Sequence, residues 1–214
     1  MATGEAAPAT AGRTIGWARS YDALVAILTL GRAGALRAAT VELARIAPGE
    51  TVLDVGCGAG DVTLVARTRA GAAGRVQGID AAPAMIAAAR RKAARAGYAI
   101  EYRVAAVEAL PFPDATADVV VSSLLMHHLP GDLKGRALAE IRRVLKPGGR
   151  LLVVDFTHPT GQADRLVSVL LAHHRMRGGV QDLPTLMEAA GFTGVEAGKT
   201  GFGPLGFVRG WVQG

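Results

Sequence analysis

The sequence predicts an α/β protein with a doubly wound, mostly parallel sheet, and two observations support this fold class. From Thr51 onward, short runs rich in Val, Leu and Ile alternate with longer Ala- and Arg-rich segments of helical period, as in successive β-α-β units. Several runs are apolar at consecutive positions, such as 119–121 and 151–154, which is typical of strands covered by helices on both faces. The chain of 214 residues is 50% hydrophobic and long enough for one compact core.

The strands come at regular intervals through the chain. The predicted central strands cover 51–55, 75–79, 100–104, 117–122 and 150–156. Two weaker strands are predicted near 194–200 and 206–212. Together they form the predicted sheet.

Helices are predicted between the strands and before them. They begin after Asp61, run over 83–96 with Gly97 as the C-terminal stop, and run over 132–145 with Asp132 as the N-cap. Residues 21–46 are predicted as one or two helices broken at Gly31 and Gly34. Further helices are predicted over 162–176 and 182–190.

The composition indicates a cytoplasmic protein. Residues 1–14 are predicted to be a disordered tail, since the start lacks the basic and apolar regions of a signal peptide. No run approaches the roughly 20 apolar residues of a membrane span. A single cysteine, Cys57, excludes an internal disulfide and a cysteine-based metal cluster, so no metal is predicted.

The net charge of +6 does not predict a nucleic-acid partner. Basic residues cluster at 90–95 and 142–146, on predicted helices whose charged faces are solvated. No stacking aromatic residues are interleaved with them, as a nucleic-acid surface would require.

The most informative segment is the loop that follows the first strand. Gly56, Gly58 and Gly60 alternate with small residues before a helix begins. Glycine permits positive φ and close approach of the backbone to a ligand. Ligands of such sheets bind at the carboxyl ends of the strands, where this loop lies. Asp80 ends the second strand, where an acidic side chain can bind both hydroxyls of a ribose. The two features predict a nucleoside site.

The loop spacing and Asp54 indicate which nucleoside binds. The dinucleotide fingerprint needs a third glycine at position 61, which is Asp61 here. Asp54 precedes the loop, where its carboxylate would repel a pyrophosphate and attract the cationic amino-acid end of S-adenosylmethionine. S-adenosylmethionine is therefore the predicted cofactor, with S-adenosylhomocysteine as its product.

These residues resemble the class I S-adenosylmethionine-dependent methyltransferases, from about Thr51 to Phe156. The similar segments are Asp-Val-Gly-Cys-Gly-Ala-Gly at 54–60, Asp80, Leu-Pro-Phe-Pro-Asp at 110–114, Asp-Val-Val at 118–120 and Leu-Lys-Pro-Gly-Gly-Arg at 145–150. The later segments are similar to those of the subgroup that contains quinone-biosynthesis and other small-molecule methyltransferases. The resemblance implies a Rossmann-like sheet of seven strands with the last antiparallel, a helical lid at 15–47 and a methyltransferase domain at 48–214.

The resemblance also implies the site residues. The cofactor-binding set is Asp54, Gly56, Cys57, Gly58, Gly60, Asp80, Ala81, Met85, Ala106, Val107 and Ser122. Within it, Met85 would lie near the adenine and Ser122 would border the methyl-transfer cleft. Ala106 departs from the pattern, because relatives often have an Asp there for the adenine amino group. That hydrogen bond, worth about 0.5–1.5 kcal/mol, would be lost.

Histidines are the candidate bases for a hydroxyl acceptor. His127 and His128 follow the fourth strand on the cofactor side of the sheet, and one of the two is predicted to face the cleft. Tyr21 and Trp17 are candidate lid residues, and His173 and His174 follow an apolar run that suits an aromatic or lipid-like acceptor. The expected partner is a small molecule, with the protein a monomer or homodimer.

Three alternatives stay open on the sequence alone. A nucleic-acid methyltransferase would use the same cofactor domain, but 122–125 reads Ser-Ser-Leu-Leu, without the Asn/Asp-Pro-Pro-aromatic box. A dinucleotide-dependent reductase is opposed by the glycine spacing and by Asp54. A non-catalytic S-adenosylmethionine-binding protein would retain the loop and Asp80.

Overall fold

The computed structural model describes residues 8, 10, 31–157 and 180–214. In this part of the chain, helices pack on both faces of a seven-stranded sheet in the order β3-β2-β1-β4-β5-β7-β6. The strands are β1 (Thr51–Val55), β2 (Arg75–Asp80), β3 (Glu101–Val104), β4 (Ala117–Ser123), β5 (Leu145–Phe156), β6 (Thr193–Lys199) and β7 (Leu205–Trp211). The last strand, β7, runs antiparallel to both of its neighbours, β5 and β6, as predicted, and the pairs among β1 to β5 are parallel.

The helices alternate with the strands. They are α1 (Ala33–Leu43), α2 (Asp61–Ala70), α3 (Pro83–Arg95), α4 (Gly131–Val144) and α5 (Leu183–Ala189). Two 3₁₀ turns, Met126–His128 and Val180–Asp182, precede α4 and α5. The order reverses at β1, since the chain moves outward to β2 and β3 and then returns to β4 on the other side. This reversal opens a crevice at the carboxyl ends of β1 and β4.

Three details differ from the prediction. Helix α1 continues through Gly34, so the predicted break there is wrong; Gly34 lies in the first turn, and Gly31, with φ of 77°, precedes the helix. Asp132 is not an N-cap: α4 begins at Gly131 after Pro130, and Asp132 lies in the first turn, where its charge favours the helix dipole. Strand β5 begins at Leu145 and not at Arg150, as described next.

The Lys-Pro-Gly-Gly segment forms an irregularity inside β5. Leu145 pairs with Ala117, and the next pair along the ladder joins Arg150 to Val119. The intervening residues bulge outward, with Gly148 at φ of 76°. The residues between the predicted helix and the predicted strand therefore form a bulge within one strand.

The core lies in two layers on either side of the sheet. Alternate residues of β1 and β4 point to opposite faces: Leu53 and Val120 pack with α4 and α5, and Val52 and Val121 pack with α1 and α2. Such two-sided burial explains the continuous apolar runs. Within the described residues, no helix is long and apolar enough to cross a membrane.

Arg150 ties the C-terminal end of α1 to the start of the sheet. Its guanidinium donates to the carbonyls of Ala44 at 2.8 Å and Arg45 at 2.5 Å, and it pairs with Glu50 at 2.7 Å. Carbonyls at the C-terminus of a helix lack amide partners within the helix. Here the Arg150 guanidinium donates to the two carbonyls that follow Leu43, the last residue of α1. This contact fixes α1, which forms part of the site described below.

Candidate active site

The glycine loop between β1 and α2 adopts left-handed backbone at every second residue. Gly56, Gly58 and Gly60 have φ of 69°, 53° and 81°. Residues with a Cβ rarely adopt this conformation, which explains the alternate glycines. Gly60 is the N-cap of α2, so the loop delivers the chain directly into the helix.

Two of the three glycines also differ in what surrounds them. A Cβ on Gly60 would lie 2.6 Å from the Tyr102 hydroxyl and 2.9 Å from the Ala89 Cβ, so Gly60 allows the loop to pack on β3 and α3. A Cβ on Gly58 would have no atom of the described residues within 4 Å, and Gly58 itself lines the crevice. Gly60 therefore allows the loop to pack closely on its neighbours, whereas Gly58 leaves space in the crevice.

Asp80, the last residue of β2, holds the loop through its carboxylate. Its Oδ2 accepts from the Gly58 amide at 3.0 Å and its Oδ1 accepts from the Ala82 amide at 2.8 Å. Burial raises the pKa of Asp80, and the two amide hydrogen bonds oppose that rise. Each oxygen retains a second lone pair with which to accept from a ligand hydroxyl.

Asp54 is the most buried acid of the site, with 1% of its surface exposed. Its Oδ2 accepts from the Thr63 hydroxyl at 2.6 Å. Burial raises the pKa of Asp54 to about 7; the Thr63 hydrogen bond opposes this rise, and the nearby charge of Asp80 adds to it. A cationic group placed beside this carboxylate would restore its charge and bind to it.

Residues from several helices, strands and loops line the crevice. Of the predicted cofactor residues, those in the lining are Asp54, Gly56, Cys57, Gly58, Asp80, Ala81, Met85, Ala106 and Val107. Gly60 and Ser122 are not part of the crevice lining. The Ser122 side chain is fully buried between β1 and β5, and the next residue, Ser123, lines the crevice because successive strand residues point to opposite faces.

The two histidines occupy different positions. His128 lines the crevice, whereas the His127 side chain is 4% exposed and its Nδ1 lies 2.6 Å from Oδ1 of the buried Asp155. Asp155 Oδ2 also accepts from the His127 amide at 3.1 Å. The two imidazole rings are tilted, with centroids 3.9 Å apart. The 3₁₀ turn at Met126–His128 therefore presents one histidine to the crevice and anchors the other.

Several lining residues were not predicted. Helix α1 contributes Leu36, Arg37 and Thr40, and the loop after β3 contributes Glu108, which accepts from the Thr10 hydroxyl at 2.5 Å. No sequence motif marks these positions, because they reach the crevice through long-range packing. Helix α1 lies within the segment 15–47 that the resemblance assigned to a lid, but nothing in the sequence singled out these three side chains.

The remaining predicted site residues include a buried cysteine and four residues outside the described part of the chain. The Cys57 thiol is buried, and burial raises its pKa well above the usual range, so it is a weak nucleophile. Trp17, Tyr21, His173 and His174 lie outside the described residues. Among the residues that the structure does describe, no three His, Cys, Asp or Glu side chains are grouped to hold a metal ion.

The fold and the crevice define a class of protein: an α/β protein with a ligand-sized crevice at the carboxyl ends of its parallel strands, lined by two acids from adjacent strands. Comparison with known proteins specifies the class further. Residues 52–149 match a family described as a methyltransferase domain.

Two relatives show where the sequence similarity lies. The chain is 40% identical over 147 residues to the demethylmenaquinone methyltransferase of Thermus thermophilus, covering 69% of this chain and 66% of that protein. It is 35% identical over 145 residues to a ubiquinone/menaquinone biosynthesis C-methyltransferase of Hydrogenovibrio crunogenus, covering 67% of this chain and 56% of that protein. The chain thus spans 56–66% of the length of these two relatives.

Solved structures support the fold. A SAM-dependent methyltransferase from Aquifex aeolicus superimposes with a TM-score of 0.67 at 21% identity, over 91% of this chain and 96% of that one. Phosphoethanolamine N-methyltransferase 2 of Haemonchus contortus, in complex with S-adenosylhomocysteine, superimposes with a TM-score of 0.63 at 17% identity, over 79% of this chain and 50% of that one. At these identities the likeness concerns the fold alone. With the family match, residues 52–149 form a methyltransferase domain of the class I S-adenosylmethionine-dependent family, similar to that of the quinone-biosynthesis enzymes.

Proposed function

We propose that this protein transfers the methyl group of S-adenosylmethionine to a small lipid-like molecule. The observation that carries the proposal is the convergence of Asp54, the glycine loop and Asp80 on one crevice at the carboxyl edge of the sheet. Domain membership and the names of the relatives support the same activity.

The side chains of the crevice fit this cofactor from one end to the other. Asp80 would accept from the ribose hydroxyls, and Met85 and Val107 offer apolar surface to the adenine. Asp54 would bind the ammonium of the amino-acid end, and Gly58 leaves room for the chain beside it. When bound, S-adenosylmethionine supplies a methyl carbon that its positive sulfur has already activated.

The protein's part in the reaction is then largely positioning and exclusion of water. Leu124, Leu125 and Leu129 give the acceptor side of the crevice apolar walls. His128 lies in the same wall and would take the proton of an acceptor hydroxyl, which makes the acceptor a better nucleophile. His127 and Asp155 would hold that turn of the chain in place.

For the acceptor we propose an aromatic ring with hydroxyl groups and an apolar tail, methylated on carbon. The names of the two relatives describe methyltransferases of demethylmenaquinone and of the ubiquinone and menaquinone pathways. An ionised ring hydroxyl pushes electron density onto the adjacent ring carbon, which would bond to the methyl carbon as the methyl–sulfur bond breaks. The methylated ring carbon would then release its own proton to solvent, and the ring would regain its aromaticity. Reduced, short-tailed quinols are the first acceptors to assay.

The ion pairs that basic side chains of the helices form within the protein also agree with a small-molecule acceptor. Lys92 of α3 pairs with Asp61, and Arg143 of α4 pairs with Glu140 and Asp114, so these charges are engaged within the protein. We therefore propose no nucleic-acid partner. We also propose a cytoplasmic location and a monomer or homodimer, as expected from the sequence. Salt-dependent binding to RNA or DNA would contradict the first point.

Calorimetric titration with S-adenosylhomocysteine tests the proposed cofactor. Replacing Asp80 with Asn removes the charge that accepts from the ribose and should weaken binding about 10- to 100-fold, as expected for hydrogen bonds to a charged group. Asp114→Asn is the matched control, since the Asp114 side chain is 77% exposed and lies outside the crevice. Equal affinity of both variants and the unaltered protein would refute the proposed site.

A further inference from the structure

The connection between β3 and β4 lines the crevice with its first residues and packs into the core with its later ones. Residues 105–108 are part of the crevice lining. Leu110 and Phe112 are buried in the same apolar cluster as α4. Residues 105–116, all of which the structure describes, form no strand or helix, so their buried backbone groups need partners from other elements.

Two side chains of α4 provide such partners. The Arg143 guanidinium donates to the Leu110 carbonyl at 3.0 Å and to the Phe112 carbonyl at 2.8 Å. The Glu140 carboxylate accepts from the Leu110 amide at 2.8 Å. Both backbone groups of Leu110 are therefore bound by side chains of one helix, which lie 30 and 33 positions further along the chain.

Glu140 and Arg143 also bind each other. Nε and Nη2 of Arg143 each lie 2.8 Å from an oxygen of Glu140, and Nη1 lies 2.7 Å from Asp114 Oδ1. Together with the two carbonyls, these contacts use all five N–H groups of the guanidinium. The hydrogen bonds from Arg143 lower the pKa of Glu140, so this carboxylate is charged at neutral pH. The pair is therefore held in one geometry.

A short turn connects this pair to the crevice. The Ala109 amide donates to the Ala106 carbonyl at 3.2 Å, so residues 106–109 form a turn that ends directly before Leu110. On the other side, the Ala105 amide donates to the carbonyl of the last residue of β2 at 3.1 Å. This part of the crevice wall therefore lies between two fixed points, the end of β2 and the pair on α4.

We propose that Glu140 and Arg143 are positioning residues that fix the adenine end of the crevice from outside it. Neither side chain lines the crevice. This inference rests on the proposed function, which places the adenine beside Val107. Because Leu110 follows closely after Val107, loss of the pair would let this stretch of the wall move. The fit to the adenine would then be lost, while the contacts to the ribose and to the amino-acid end would remain.

The test compares two ligands, one of which lacks the adenine. Calorimetry measures the affinity for S-adenosylhomocysteine, and competition against it measures the affinity for S-ribosylhomocysteine. In Arg143→Met the affinity for S-adenosylhomocysteine should fall about 10-fold, as for the loss of one hydrogen bond to the adenine. The affinity for S-ribosylhomocysteine should change by less than about 2-fold. Arg143→Lys, which can still donate to one of the carbonyls, should lose about 3-fold for S-adenosylhomocysteine.

Arg142→Met is the matched control. Arg142 is the neighbouring arginine of α4, and its Nε contacts the Gly191 carbonyl instead of the connection between β3 and β4. This variant should bind both ligands as the unaltered protein does. Thermal unfolding shows which variants are folded. If Arg143→Met does not fold, Glu140→Gln decides, because it keeps the size of the side chain and removes the charge that holds the guanidinium; it should lose about 3-fold for S-adenosylhomocysteine alone.

Two results would overturn the positioning role. One is an unchanged affinity for S-adenosylhomocysteine in the folded variants of the pair, and the other is an equal loss of both ligands, which a purely structural contact would produce. If the unaltered protein does not bind S-adenosylhomocysteine, the proposed function fails, and this inference fails with it.

Discussion

Asp54 illustrates how one residue can serve binding at the expense of stability. Its carboxyl is almost fully buried and accepts from the hydroxyl and the backbone amide of Thr63, while Asp80 adds a second negative charge nearby. Burial of a carboxylate without a cation disfavours its charged form, and this is why its pKa is raised to about 7. A cationic ligand would supply the missing partner.

Asp54→Asn should therefore stabilise the ligand-free protein at pH 8. A carboxyl whose pKa rises on folding contributes stability that is complete below its unfolded pKa of about 4 and is lost as the pH rises through its folded pKa. The folded value is about 7, so the loss falls between about pH 4 and just above pH 7. Asn avoids that loss, and we expect a gain of about 2–4 kcal/mol at pH 8.

Urea unfolding at pH 8 and at pH 5 measures this effect. The gain should be much smaller at pH 5, where Asp54 is already neutral, and the variant should bind S-adenosylhomocysteine poorly at both values. A variant less stable than the unaltered protein at pH 8 would show that the buried charge is compensated in the folded state.

The two histidines should separate by their effect on catalysis. His128→Asn should lower kcat about 100-fold or more with a hydroxyl-bearing acceptor, because general-base contributions are of that size. Raising the pH should partly restore its activity, since the acceptor then ionises in solution. His127→Asn should instead destabilise the fold, because it leaves the buried Asp155 without its imidazole partner.

Steady-state kinetics from pH 6 to 9, together with thermal unfolding of each variant, checks this assignment. Full activity of His128→Asn across the range would remove the base from the mechanism and leave positioning as the protein's whole contribution.

At the scale of elements, the glycine loop combines two separate requirements. Gly58→Ala should cost about 1–2 kcal/mol of stability, the price of a left-handed backbone for alanine. Its methyl group would point into the crevice, so S-adenosylhomocysteine affinity should fall more than about 10-fold. Gly60→Ala adds a clash with Tyr102 and Ala89 and should cost about 2–5 kcal/mol.

Urea unfolding and calorimetry on both variants distinguish the two roles. If Gly60→Ala were as stable as Gly58→Ala, the close packing of the loop on β3 and α3 would be wrong.

Arg150 contacts the chain just after α1, the helix that contributes residues to the crevice lining, so we expect this contact to help to hold α1 in place. Arg150→Met would remove the guanidinium that donates to the carbonyls of Ala44 and Arg45 and to Glu50, at a cost of about 2–4 kcal/mol, and it should also weaken S-adenosylhomocysteine binding. Arg75→Met is the control: the Arg75 side chain is 64% exposed, and its ion pair with Glu101 should be worth less than about 1 kcal/mol.

Chemical unfolding and calorimetry on this pair provide the measurement. Similar losses in both variants would mean that Arg150 acts as an ordinary surface arginine and does not fix α1.

At the scale of the whole molecule, local patterns in the sequence predicted most of the sheet. The parallel order with one antiparallel strand agrees with the resemblance, and the methyltransferase family is confirmed by the match over 52–149. The loop with Gly58 and the acid at Asp80 were recognisable because each depends on a few neighbouring residues whose spacing is fixed by a strand end.

What the sequence did not reveal depends on long-range packing. Arg37 enters the crevice because α1 packs on α2, and nothing in its own segment marks it. The different positions of His127 and His128 follow from a 3₁₀ turn and from Asp155, a residue 28 positions away. The bulge before Arg150 could not be predicted, because it depends on the register between β4 and β5.

A crystal structure of the protein with S-adenosylhomocysteine tests the central claim most directly. We expect the ribose hydroxyls on the Asp80 carboxylate, the adenine between Met85 and Val107, and the amino-acid end above Gly58 with its ammonium toward Asp54. A nucleoside bound elsewhere on the protein, or a crevice that stays empty at saturating ligand, would contradict the account.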